Sequence, residues 1–437
     1  MQALRFSCIS QGIRACLRLS GSLDLHHQLL TVTMTISADR IYSLEGKGLK
    51  LTTAEDIAPY LEELRSFENL EEIRLNGNTI GAEAAKALAD VLRTRTTLKA
   101  SVATFHDIFT GRLKDEVKES VVAICDALSE LPNLIELNLS DNAFGPLGAE
   151  AMSDFLKKHT GLQILKLNNN GLGIQGGTTI AQSLLECQAE CEKLGKEPSL
   201  HTLICGRNRL ENGSAPAFSK AFAALKTLRE VRMPQNGIRP EGIIELVAGL
   251  SNNSKLAVLD LQDNTFTHTG SQALAGALSN WSLLETLNVG DCLLGPTGGR
   301  LVIEALKDSE TLKIVNLQYN EIEHDGALAL AESLRKLKAL ENIELNGNRF
   351  DAESNAVEMI KAALSENDLD DDILGSLSDM EELTDDEDDD EAEDEEEEEK
   401  EETSKPEKET SGPKTASDVL EDNLADLVTQ MKEQLNV

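Results

Sequence analysis

The chain has 437 residues, too many for one compact core and suited to two or three domains or to one elongated repeat array. Its formal charge is −36 at pH 7 and only 3% of its residues are aromatic. That balance argues against nucleic acid or an anionic membrane as the main partner, since both need clustered Lys and Arg, and it leaves little platform for base stacking. No apolar run approaches the ~18 residues of a membrane helix. The 7 scattered cysteines suit reduced thiols better than a disulfide framework.

At the N-terminus, residues 1–23 carry Arg5, Arg14 and Arg18 and no acid. This is the charge of a presequence without its helical amphipathicity. The expectation is that Met34 is the natural start and that residues 1–40 form an extension outside the folded body. A cap is expected from Leu44 to Leu51.

From there the chain repeats. The template L-x-x-L-x-L-x-x-N/C-x-L appears as Leu70, Ile73, Leu75, Asn78, Ile80. It returns as Leu134, Leu137, Leu139, Asn142, Phe144, and again around Asn170, Asn208, Asn236, Asn264, Cys292, Asn320 and Asn348. A degenerate copy starting at Leu98 puts His106 in the Asn place. The steps from Asn208 to Asn348 are each 28 residues, whereas 106→142 and 170→208 are longer. The Leu-x-Leu alternation makes a short half-buried strand. The Asn that follows donates and accepts hydrogen bonds where the strand turns away, so stacked repeats carry a ladder of such side chains. In Gly81 to Arg93, the residues Ala84, Ala85, Leu88, Val91 and Leu92 make one apolar stripe of a helix. The fold class is therefore α/β: a leucine-rich repeat solenoid of 28-residue units over 41–365, with parallel strands on the concave face and helices outside.

The two long steps hold insertions, and insertions map to loops on one face. The first contains Phe109-Thr110-Gly111-Arg112-Leu113-Lys114. Gly111 lets the chain turn, and Arg112 is expected to project from it. The second, Gln188 to Pro198, reads as a helix extension.

After the last helix, around Val357, Ile360 and Leu364, acids take over. Between Glu366 and Glu402 there are 24 carboxylates against one lysine, which leaves −13 for the rest of the chain. Such a run repels itself and cannot bury a core, so 366–412 is expected to be disordered. In 413–437 the residues Val419, Leu420, Leu424, Leu427, Val428, Met431 and Leu435 recur at helical spacing.

No catalytic set is visible. Gly46-Lys47-Gly48 lacks the rest of a phosphate-binding loop, and there is no H-E-x-x-H. Cys187 and Cys191 are too few for structural zinc, so no metal site and no cofactor are expected. A repeat surface of this kind serves recognition.

The strings Phe109-Thr110-Gly111-Arg112, Ser140-Asp141-Asn142-Ala143-Phe144-Gly145-Pro146, Asn169-Asn170-Gly171-Leu172-Gly173, Gly206-Arg207-Asn208-Arg209-Leu210 and Asp263-Asn264-Thr265-Phe266-Thr267 resemble the Ran GTPase-activating protein family. The resemblance runs from about Leu44 to Leu364 and on into the acids, and the short C-terminus is like that of the fungal-type members. It implies a monomeric cytoplasmic or perinuclear activator of GTP hydrolysis by GTP-bound Ran, serving nucleocytoplasmic transport. Such a protein is not itself an enzyme and completes the partner's site. The resemblance gives catalytic roles to Arg112 and Asn169 and partner-binding roles to Lys114, Asp141, Arg207 and Asp263. Asn169 is expected on the repeat next to Arg112, close enough for one GTPase to touch both. The competing readings are a ribonuclease-inhibitor-type scaffold, which shares the 28-residue repeat but is much richer in cysteine, and an acidic histone-chaperone-type binder.

Overall fold

The structure is a computed structural model, in which residues 36–94 and 101–380 are described. Thirteen short strands alternate with eleven α-helices among these residues. The first elements are β1 (Ile41–Ser43), β2 (Lys50–Leu51), α1 (Ala54–Ser66), β3 (Glu72–Arg74), β4 (Thr79–Ile80), α2 (Ala82–Arg93), β5 (Val102–Thr104) and α3 (Lys114–Ser129). Then come β6 (Glu136–Asn138), α4 (Gly145–Lys158), β7 (Ile164–Lys166), α5 (Gly173–Lys193), β8 (Thr202–Ile204), α6 (Glu211–Leu225), β9 (Glu230–Arg232) and α7 (Pro240–Leu250). The last are β10 (Val258–Asp260), α8 (Thr267–Leu278), β11 (Thr286–Asn288), α9 (Gly295–Leu306), β12 (Ile314–Asn316), α10 (His324–Leu334), β13 (Asn342–Glu344) and α11 (Asn355–Glu366).

Eleven of the strands form one parallel sheet in chain order, while β2 and β4 pair separately. Register is constant: Leu259 lies opposite Leu287, and Leu287 opposite Val315. These middle residues are fully buried, because alternate strand side chains point into the core shared with the helices. Parallel strands need a crossover, and each repeat supplies one helix for it. The second insertion lengthens α5 to 21 residues, the helix extension the sequence suggested.

The Asn ladder is built as its chemistry requires. In Asn170, Nδ2 donates to the carbonyls of Leu139 and Leu167 at 3.0 Å each. Its Oδ1 accepts the backbone N–H of Asn142 at 2.9 Å. Asn170 N–H in turn donates to Asn208 Oδ1, and Asn208 N–H to Asn236 Oδ1, each at 2.9 Å. The side chains are buried and every polar group finds a partner across two repeats.

One register expectation is corrected. His106 does not occupy the ladder position; Ile108 does, since its N–H donates to Asn142 Oδ1 at 2.8 Å and Ala103 pairs with Leu137. The copy starting at Leu98 was set two residues early, because the repeat around β5 carries its extra residues on both sides of the strand.

The folded body also continues past the expected boundary at 365. Leu369, Ile373, Leu374, Leu377 and Met380 pack against the core, and Gly375 N–H donates to the Ile343 carbonyl at 2.9 Å. The first acids of the run therefore belong to the body. The run 385–402, the C-terminal apolar periodicity and residues 1–35 lie outside the described residues. No helix among the described residues is long and apolar enough to cross a membrane.

Candidate functional site

Each strand hands over to its ladder residue through one residue of left-handed backbone. This residue is Gly77, Asp107, Asp141, Asn169, Arg207, Gln235, Asp263, Asp291, Tyr319 and Gly347 in successive repeats, every one at positive φ. The conformation turns its N–H toward the next repeat: Asn169 N–H donates to the Gly206 carbonyl at 2.9 Å and Arg207 N–H to the Pro234 carbonyl at 2.8 Å. The ladder side chain points inward, so the residue before it stands outward on one rim of the sheet.

Four of the six residues singled out from the sequence, Asp141, Asn169, Arg207 and Asp263, fall in this one row. Asn169 is exposed, and its Nδ2 donates to Asp141 Oδ1 at 3.0 Å across adjacent repeats. Gln235 Nε2 donates to Asp263 Oδ2 at 2.7 Å in the same way. Arg207 is exposed and has no ion pair among the described residues. Lys114 opens α3 and is likewise exposed. The other row members, Asp107, Gln235, Asp291 and Tyr319, escaped selection from the sequence. Their signal is positional, the residue just before the ladder.

Arg112 is the correction at this site. Gly111 does turn the chain, at φ 79°, but the guanidinium folds back instead of projecting, and its side chain is only 7% exposed. Nε donates to Thr79 Oγ1 at 2.8 Å. One terminal nitrogen reaches Thr52 Oγ1 at 3.1 Å and Glu116 Oε1 at 3.3 Å. The other reaches the carbonyls of Thr79 at 2.9 Å and Leu51 at 3.2 Å. A guanidinium has five N–H donors, and all five are engaged here. The side chain fastens the β2/β4 pair to the start of α3. Thr52 leads into α1, where Asp56 Oδ2 accepts the N–H groups of Thr52 and Thr53 at 2.9 Å. Those bonds, chiefly the one from Thr53, hold the Asp56 carboxyl below its ordinary range, with Arg112 adding a smaller pull.

Nor are Arg112 and Asn169 on neighbouring repeats. β6 lies between β5 and β7, and Arg112 points toward the earlier repeats, away from Asn169. The structure brings Asn169 together with Asp141, and leaves Arg112 in a separate cluster. Among the described residues no group of His, Cys, Asp and Glu could hold a metal ion.

Comparison with known proteins adds identity to this geometry. A Leucine Rich repeat family model matches residues 68–89, 130–153 and 308–331. Ran GTPase-activating protein 1 of Saccharomyces cerevisiae is 43% identical over 241 residues, covering 54% of this chain and 59% of that protein. Ran GTPase-activating protein 1 of Xenopus laevis is 48% identical over 199 residues, covering 45% of this chain and 34% of that protein. The mouse ribonuclease inhibitor is 28% identical over 259 residues, covering 47% of this chain and 54% of that protein. The matches thus span between a third and three fifths of these relatives' lengths. Over about half its length the chain is thus similar to Ran GTPase-activating proteins, with identity well above that to the ribonuclease inhibitor.

Proposed function

We propose that this chain stimulates GTP hydrolysis by the GTP-bound form of Ran, acting as a monomer in the cytoplasm, with no cofactor and no catalytic set of its own. The observation that carries the reading is the exposed Asn169–Asp141 pair on the rim of β6 and β7, in a chain that is 43% identical over 241 residues to a protein named for this activity. A GTPase activator can raise hydrolysis ~10⁵-fold, by giving an arginine to the developing phosphate charge or by ordering the GTPase's own water-positioning residue. Arg112 has no N–H to spare for a phosphate, so the geometry favours the second route. Asn169 is the ordering residue, a neutral amide fixed at its base by left-handed backbone and at its tip by Asp141. Lys114, Arg207 and Asp263 serve as partner contacts, and Arg112 acts through the repeats it fastens.

The test is saturating single-turnover hydrolysis by Ran with each alanine variant. Asn169→Ala should lower the maximal rate by about tenfold or more, with a smaller loss of binding. Arg112→Ala, where folded, should still form a complex with Ran carrying GDP and aluminium fluoride. A wild-type maximal rate for Asn169→Ala overturns the site, and loss of the fluoride complex in a folded Arg112→Ala makes Arg112 a finger after all. The ribonuclease-inhibitor reading would require stoichiometric inhibition of a ribonuclease instead.

A further inference from the structure

Nine large apolar side chains are markedly exposed among the described residues, and three of them sit at the starts of successive helices. Leu113 precedes α3 and is 76% exposed, Leu147 in α4 is 40% exposed, and Ile174 in α5 is 42% exposed. Leu113 and Leu147 each lie five residues past their ladder positions, Ile108 and Asn142, and Ile174 lies four past Asn170. On the flanking repeats, the places four and five residues past the ladder hold Ala82 and Glu83 on one side and Asn212 and Gly213, Pro240 and Glu241, and His268 and Thr269 on the other, none of them a large exposed apolar side chain. The apolar strip is thus confined to three repeats, those that also carry Lys114, Asp141 and Asn169.

Close packing brings the two later members of the strip together. A Cβ on Gly176 would lie 3.2 Å from Pro146 Cα and 3.4 Å from Ala149 Cβ, so the first turns of α4 and α5 touch. A Cβ on Gly213 would lie 2.6 Å from Ile174 Cγ2, which puts Ile174 against the start of α6 and ends the strip there. Isolated exposed leucines are ordinary, but an apolar strip rimmed by charged groups is the anatomy of a protein contact.

We propose that Leu113, Leu147 and Ile174 form the apolar centre of the surface on which the GTPase docks, with Lys114 and Asp141 on its polar edge; this rests on the activator reading given above. The occupant is the GTP-bound GTPase, because a partner ordered by Asn169 must lie over β6 and β7 and therefore meets the strip in the same repeats. A buried apolar centre supplies residence on the surface, while Asn169 supplies the rate.

The experiment measures multiple-turnover hydrolysis by Ran·GTP with catalytic amounts of the full chain carrying Leu113→Ser, Leu147→Ser and Ile174→Ser, singly and together. The triple variant should raise KM by about tenfold or more, hold kcat within about twofold and keep the wild-type thermal midpoint. Leu194→Ser and Leu283→Ser, exposed apolar positions on the opposite rim, should change neither constant. An unchanged KM in the triple variant, or a loss confined to kcat, overturns the proposal. So does sedimentation showing that the triple variant dissolves a wild-type dimer while KM stays constant, since the strip would then be a self-contact. No stimulation by the wild-type chain would instead overturn the activator reading itself, which separates the two failures.

Discussion

His159 shows how one side chain ties stability to pH. It ends α4, stacks on Phe155 with ring centroids 5.0 Å apart, and its Nε2 lies 2.8 Å from the Leu134 carbonyl, so that nitrogen carries the proton. Burial pushes its pKa below the ordinary 6.5; the Leu134 bond opposes the shift and the Lys196 charge assists it. The folded protein thus favours the neutral ring. Its contribution is complete above pH 6.5 and is lost as pH falls through the lower folded value. Denaturant midpoints followed downward from pH 7.5 should therefore decline below 6.5. His159→Phe should cost about 1 kcal/mol at pH 7.5 through the orphaned Leu134 carbonyl, yet decline less on acidification. Some slope should remain, since burial depresses His201 in the same direction. An identical slope in wild type and variant would remove His159 from the acid response.

At the scale of one repeat, the ladder makes a sharper claim. Asn264 Oδ1 accepts the N–H groups of Asn236 at 3.2 Å and Ile238 at 3.1 Å, and its Nδ2 reaches the Met233 and Leu261 carbonyls. Asn264→Leu should cost about 1–3 kcal/mol by stranding those groups. Cys292 is the weak rung: its thiol lies 3.4 Å from the Leu261 and Gly290 carbonyls, and it has no amide oxygen to offer the preceding turn. Cys292→Asn should therefore raise the midpoint, by about 0.5–1 kcal/mol, as consensus replacements do; a lower midpoint would mean the pocket has adapted to sulfur. These rungs, the helix stripes and the lengthened α5 were legible because a fixed 28-residue spacing makes each copy a check on the others. That check failed where spacing changed. From Asn78 to Ile108 is 30 residues and from Ile108 to Asn142 is 34, so the apparent 28-residue step to His106 was a coincidence. Arg112 was misread for a different reason: its acceptors at Leu51, Thr52 and Thr79 are 33 to 61 residues away, beyond any local pattern. The exposure of Asn169 was legible because the residue beside a buried ladder position has nowhere to point but out.

Across the whole molecule, charge is the long-range property. The chain carries −36, most of it between Glu366 and Glu402. Such a field steers a basic partner into encounter and fades within about 10 Å at 0.1 M salt. Deleting residues 385–402 should slow association with Ran by up to about tenfold at low ionic strength and progressively less as salt rises. Single-turnover hydrolysis at saturation should be nearly untouched. A large fall in that saturated rate would assign the acids to the assembled active complex rather than to encounter.

The row of left-handed residues has a consequence for mapping function without a partner. Its two ends are glycines, and Gly347 has to be one, since a Cβ there would meet the Tyr319 ring at 2.1 Å. The eight positions between them carry side chains in a conformation that costs an L-residue ~1–2 kcal/mol and glycine almost nothing. Each of the eight is thus a standing debit in folding free energy. Where the side chain makes no bond of its own among the described residues, as at Arg207 or Asp291, a glycine should refund part of it. A glycine scan along the rim, read only as melting temperature, would then rank positions by the stability this chain forgoes to keep a side chain there, and the largest gains would outline the functional footprint from within the isolated protein.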